Sequence, residues 1–309
     1  MMYDVHTHVG MDPAMFLRGW WPYAATAQDL LGHMDAHGID RAVCFPFVIP
    51  SAFDPYVFAE RFEFELLPGR APYDRENALL CQECERIDLQ RRLRVLAMFD
   101  PARCVDEQMR NLEPLKGRIT GLKTQTEVTR SPIKALLKEG RALMAFAERH
   151  DMPVLVHTAV VPTDRFSRVE DCLEVAAAYP KVRFNLAHSL RFHAGFLRQA
   201  AATPNVWVDC SAHLAHCQLA RDNHPAIAPK DQRVDADYTR PTEVLAAVHA
   251  ILGGRYLWGS DTPYMSWCDD AIRAVFTYGE EVAALRALPD AARRSMADEA
   301  PRAWLGKGC

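Results

Sequence analysis

Met2-Tyr-Asp-Val-His-Thr-His-Val9 is the stretch on which the reading of this chain turns. Side chains alternate faces along a strand, so His6 and His8, two residues apart, fall on one side. Tyr3, Val5 and Val9 suit a strand, and Gly10 breaks it just after the second histidine. Two imidazoles at the end of a short strand begin a metal site without completing one. An isolated His-x-His is more often a pair of packed core histidines. The rest of the chain tips the balance, because His157, His188 and Asp261 each close another apolar, strand-like run.

Working outward, those runs are Ala42 to Phe47, Arg94 to Asp100, Ile119 to Lys123, Pro153 to His157, Val182 to His188, Val206 to Cys210 and Tyr256 to Asp261. Helical patterns separate them: a Thr26-capped segment ending at Gly38, then Asn77 to Arg92, Val105 to Leu115, Pro132 to His150 and Val169 to Tyr179. Two more lie near Phe196 and from Pro241. Strands alternating with helices imply parallel βαβ units, and continuously apolar strands are those covered on both faces. Eight such units predict an α/β chain folded as a (β/α)8 TIM barrel, a single domain over residues 1–309. The rival, an open doubly wound sheet, opens on a glycine-rich phosphate turn after strand one; here that turn offers Gly10 alone. Extended loops from Met11 to Ala25, Ile49 to Tyr73 and His213 to Arg240 are expected at the C-terminal face, where they would set specificity.

The chain has 309 residues, 49% hydrophobic and 25% charged, with a formal net charge of -4. Neither a basic balance nor a polybasic run points to nucleic acid or a membrane surface. No apolar stretch approaches the roughly 20 residues of a membrane span. Nine scattered cysteines, including Cys81-x-x-Cys84 in a helical run, read as reduced thiols. With no signal-like N-terminus, the expectation is a cytoplasmic protein acting on a small molecule. A homo-oligomer joined through the aromatic insertion after strand two remains open.

Barrel enzymes place their chemistry where strands end, facing the axis. His6 and His8, His157, His188 and Asp261 fall there on strands one, five, six and eight. Three histidines and an aspartate suit a divalent ion, Zn²⁺ first, with Mn²⁺ or Fe²⁺ as alternatives. Such an ion lowers the pKa of its water toward about 7 and makes hydroxide available. Asp261 is then placed to take the proton.

Asp4-x-His6-x-His8, His157, His188 and Ser260-Asp261, in that order, resemble the amidohydrolase superfamily. The likeness is nearest to the amidohydrolase-related branch, which holds decarboxylases beside hydrolases. Glu299-Ala-Pro-Arg-Ala-Trp-Leu-Gly306 resembles that branch's closing helix, so the likeness spans the chain. It implies one catalytic metal on His6, His8, His157 and Asp261, with His188 beside the metal-bound water as a catalytic residue. Lys123 ends strand four, where binuclear members carry a carboxylated lysine bridging two metals. If Lys123 is carboxylated, it and His188 join the ligands. If not, Lys123 stays a cation facing an acid or a substrate carboxylate, since an unpaired buried ammonium is costly.

Arg191 and His193 follow strand six; Arg191 suits bidentate capture of a substrate carboxylate, and a solvated loop pair is the plainer alternative. His213 and His216 read as surface or supporting residues, and Trp20 and Trp21 as either pocket wall or outer cover. Asp4 points the way of His6 one layer lower and is expected to support the ligands. The leading functional expectation is a metal-dependent hydrolase of a small polar, carboxylated ester, lactone or amide. In it metal-bound hydroxide attacks and Asp261 shuttles the proton. A non-oxidative decarboxylase would use the same residues, and a barrel that only binds metal or ligand is disfavoured by the intact set.

Overall fold

The computed structural model describes residues 1–269 and 272–306. Eight parallel strands follow one another around a curled sheet: β1 (Tyr3–Met11), β2 (Arg41–Pro46), β3 (Leu93–Met98), β4 (Gly121–Thr124), β5 (Val154–Val156), β6 (Phe184–Leu186), β7 (Val206–Asp209) and β8 (Tyr256–Leu257). A two-residue strand, Ala24–Ala25, adds antiparallel to β1. The residues after β8 return to β1: the Asp261 N–H donates to His6 O at 2.8 Å, and the His8 N–H donates to Thr262 O at 2.7 Å. The sheet therefore closes as the (β/α)8 pattern predicts.

The apolar strands are explained by two core layers. Val43, Phe45, Leu96, Met98 and Leu155 pack inside the barrel together with Trp304 of the closing helix. Their neighbours in sequence, Ala42, Cys44, Val95, Ala97 and Val154, pack outward against the helices. Strands buried on both faces need apolar residues at both parities, so the period-two signal disappears from the sequence. Thr26 caps its helix, Ala27–Ala36, with both halves of a capping box shared with Asp29.

Four local expectations are corrected. β1 carries one extra residue between Asp4 and Thr7 relative to Ala42 and Cys44 of β2. This bulge breaks the alternation, so Asp4 does not share the direction of His6. Asp4 instead lies beside Tyr278 of the helix layer, and its Oδ1 accepts from the N–H groups of His6 (3.2 Å) and Ser260 (2.9 Å). The single helix expected over Pro132 to His150 is split into a 3₁₀ segment, Ile133–Leu137, and a helix, Arg141–Arg149. Gly140 sits at the break so tightly that a Cβ there would be 2.4 Å from Pro101 O. The expected loop from His213 opens as a helix, His213–Arg221, buried along most of its length and packed against the His188–Phe192 turn and the helix Pro241–Leu252. Finally, β8 ends at Leu257, and Gly259 to Asp261 leave the ladder. Among the described residues, no helix is long and apolar enough to cross a membrane.

Candidate functional site

His6 and His8 leave the C-terminal part of β1, and Asp261 comes from the turn after β8, where it adopts a left-handed φ of 67°. Closure of the barrel presses these segments together. A Cβ on Gly259 would lie 2.7 Å from the Cβ of His6, so glycine is required there. Asp261 Oδ1 then stands 3.1 Å from His6 Nε2 and 3.4 Å from His8 Nε2. Both rings have their other nitrogen engaged, His6 Nδ1 with Asp209 Oδ2 at 3.0 Å and His8 Nδ1 with Pro46 O at 3.3 Å. Their Nε2 atoms are thereby presented to Asp261. Among the described residues these three are the group whose ligand atoms all lie within 4.8 Å of one another. Two imidazole nitrogens and a carboxylate oxygen at this spacing fit a divalent ion.

His157 and His188 stand next to this cluster. His157 Nδ1 is 2.9 Å from His188 Nε2, and His157 Nε2 faces Glu127 Oε2 at 3.1 Å and Arg191 Nη2 at 3.3 Å. His188 Nδ1 lies 3.2 Å from Ser211 O and 3.9 Å from Asp261 Oδ2. A carbonyl only accepts, so His188 carries its proton on Nδ1 and its Nε2 accepts from His157 Nδ1.

His188 begins a run in which His188, Ser189, Leu190, Arg191 and Phe192 all have φ between 46° and 66°. Such conformations cost roughly 1–2 kcal/mol each for residues with a Cβ, so this turn is held by its surroundings. Ser189 Oγ meets Tyr256 Oη at 2.7 Å, and Leu190 and Phe192 are buried. The turn carries His188 and Arg191 into the same cavity. Arg191 Nε donates to Thr158 O at 3.1 Å, and Nη1 donates to His216 Nε2.

The cavity above the cluster measures about 300 Å³. Lys123, Arg191, His157 and His216 line it together with Val48, Ile49, Phe58 and Val128. Lys123 and Arg191 are 1% and 4% exposed, and neither forms an ion pair among the described residues. The acid partner expected for Lys123 is not in contact: its Nζ lies 5.1 Å from the Phe45 ring. Burial pushes the Lys123 pKa down to about 8, against the pull of Asp209 and Asp261. Burial likewise depresses Arg191 and sends His8 down to about 4. Burial opposes the Asp261 carboxylate, yet the charge and hydrogen bond of the neighbouring His6 hold its pKa far below the usual range.

The family model for amidohydrolases matches residues 3–307. The chain belongs to the amidohydrolase family. No curated protein matches the sequence. Solved structures match over nearly the whole chain at low identity. A zinc-bound amidohydrolase from Burkholderia multivorans has a TM-score of 0.64 at 15% identity, covering 99% of each chain. A probable 2-pyrone-4,6-dicarboxylic acid hydrolase from Acinetobacter baumannii, crystallised with citric acid, has a TM-score of 0.61 at 15% identity, covering 99% of each chain. A dihydroxybenzoic acid decarboxylase from Polaromonas sp. JS666, with manganese and the inhibitor 2-nitroresorcinol, has a TM-score of 0.63 at 13% identity. It covers 98% of this chain and 96% of its own.

In this amidohydrolase the residues singled out in the sequence therefore divide into groups. His6, His8 and Asp261 converge; His157 and His188 are adjacent but bonded to each other; Lys123 and Arg191 face the same cavity. His193 turns away and caps the helix Ala194–Ala202. Trp20 lines the cavity, whereas Trp21 is 69% exposed. His216, read as a surface or supporting residue, is buried and lines the cavity. Glu127, Asp209 and Ser211 were missed. Asp209 and Ser211 end an apolar strand as the histidines do, and that position was the available signal.

Proposed function

We propose that this amidohydrolase is a metal-dependent hydrolase of a small carboxylated ester, lactone or amide. The observation that carries the reading is the juxtaposition of three convergent ligand residues with two buried cations that form no ion pair among the described residues, all in one cavity. His6, His8 and Asp261 would hold the ion, Zn²⁺ or Mn²⁺, and the family resemblance adds His157, which would exchange its contacts with Glu127 and His188. When bound, the ion supplies Lewis acidity and a water of lowered pKa. Asp261 uses Oδ1 toward His6 and His8, which leaves Oδ2 on the His188 side to carry the proton from water to the leaving group. Arg191 and Lys123 bind the substrate carboxylate and fix its reacting bond over the cluster. His188 keeps its proton on Nδ1 toward Ser211, so once His157 turns to the ion its Nε2 would be the acceptor that steers the proton of the attacking water. The free thiols among the described cysteines suit a reducing cytoplasm.

A second reading, non-oxidative decarboxylation, is favoured by the apolar lining residues Val48, Ile49, Phe58 and Val128, since poor solvation of a carboxylate beside them promotes loss of CO₂. One experiment separates them. The metal-loaded protein is given carboxylated lactones, esters, amides and aromatic acids in ¹⁸O-water. Label in the product supports the hydrolase; CO₂ release without label establishes the lyase and refutes the first reading.

A further inference from the structure

Asp209 ends β7, is wholly buried, and is met by donors on every side. Its Oδ2 lies 3.0 Å from His6 Nδ1 and accepts from Asn185 Nδ2 at 2.8 Å. Its Oδ1 accepts from the His188 N–H at 3.1 Å, the Ser211 N–H at 3.0 Å and Ser211 Oγ at 2.6 Å. Ser211 Oγ in turn accepts from His188 Nδ1 at 2.9 Å. A carboxylate is the side chain that only accepts and has lone pairs enough for this set; an amide in its place would turn an N–H toward a donor.

We propose that Asp209 is the positioning residue of the metal site: by accepting the Nδ1 proton of His6 it fixes the tautomer whose Nε2 is free to bind the ion, and through Ser211 it orients His188 as well. The proposal rests on the metal reading above. A neutral imidazole presents one lone pair, and the partner of the other nitrogen decides which. His8 has for this purpose a backbone carbonyl at 3.3 Å, a weaker restraint than a carboxylate at 3.0 Å. One carboxylate thus sets both the ring that would hold metal and the ring that faces substrate, from a strand that contributes no ligand itself.

The Asp209→Asn variant inverts this arrangement with little change of shape. Asn185 Oδ1 has no partner, so that amide can turn over and accept from the new amide. The remaining N–H of the new amide then donates to His6 Nδ1 and moves the ring proton to Nε2, where it blocks ligation. Zn²⁺ affinity is read by competition with a chromophoric chelator for the wild type, Asp209→Asn and Ser211→Ala. Loss of such an outer partner should weaken Zn²⁺ binding about 10- to 100-fold in Asp209→Asn, while Ser211→Ala stays within about threefold. Equal affinity of Asp209→Asn and the wild type overturns the proposal. Should Asp209→Asn not fold, long-range ¹⁵N–¹H correlation of the Zn²⁺-loaded wild type decides: His6 protonated on Nδ1 supports it, and His6 protonated on Nε2 overturns it. A wild type that takes up neither Zn²⁺ nor Mn²⁺ defeats the metal reading, a result distinct from equal affinities.

Discussion

His157 Nδ1 donates to His188 Nε2 across 2.9 Å, which makes one hydrogen-bonded pair of two imidazoles from adjacent barrel strands. Neighbouring strands bring both to the rim of the cavity, but they serve different ends. His188→Asn should retain metal while kcat falls about 10²–10⁴-fold, the usual loss for a group that moves a proton. His157→Asn should lower both metal content and kcat. Metal analysis and turnover on the same preparations check the contrast. Equal metal loss in both variants would make His188 a ligand and revive the two-metal alternative.

Lys123 should make the metal-free protein's stability depend on pH. Its pKa is about 8 in the folded chain against an ordinary 10.5. Between those values the unfolded chain keeps a proton that the folded chain has released, so stability rises with pH across the window. Below it, the folded protein carries the full cost of a buried ammonium, of order 3 kcal/mol. Lys123→Met should therefore exceed the wild type in stability near pH 7, the gap narrowing toward about pH 10. Urea unfolding of the two metal-free proteins measures it; a gap independent of pH would contradict the assignment.

Arg191 offers a guanidinium with neutral partners, His157, His216 and Thr158 O, in contact. Arg191→Met should cut kcat/KM for a carboxylated substrate about 10- to 100-fold, the worth of a hydrogen bond to a charged group. The same variant should act on the corresponding methyl ester or amide nearly as the wild type does. Equal losses on charged and uncharged substrates would show that Arg191 only supports the fold.

Gly259→Ala should injure the site from outside it. The added Cβ would stand 2.7 Å from His6 Cβ and 3.2 Å from His6 N, and backbone cannot give way cheaply there. We expect a stability loss of about 1–3 kcal/mol together with weaker metal binding. Thermal unfolding with and without Zn²⁺ reports both; a variant as stable and as metal-avid as the wild type would mean that β1 and the segment after β8 are not packed as described.

Much of this molecule was legible before any coordinates. Alternating apolar runs and helical patterns gave eight βα units, because each run buries both faces and each crossover needs a helix. His6 and His8 were visible as a pair by local spacing, and Asp261 as the end of the last run. Lys123 was visible as the charged residue that ends one apolar run, and Arg191 as an arginine in the loop after another, fit to clamp a carboxylate.

Other features depended on the closed barrel. The bulge in β1, which turns Asp4 away from His6, is defined against the register of β2 and has no signature within β1 alone. The break in the helix expected over Pro132 to His150 comes from the approach of Pro101 O to Gly140, a contact across the fold. The contacts of the His157 ring with Glu127 and His188 have no local signature, since the positions of those two follow from two different loops. Asp209 reaches His6 over 203 residues of sequence. Local periodicity records which face of an element is apolar, so the sequence by itself determined the elements and their order. Which side chains meet at the rim depends on register and closure, and those are properties of all eight strands at once, so only the tertiary structure decided them.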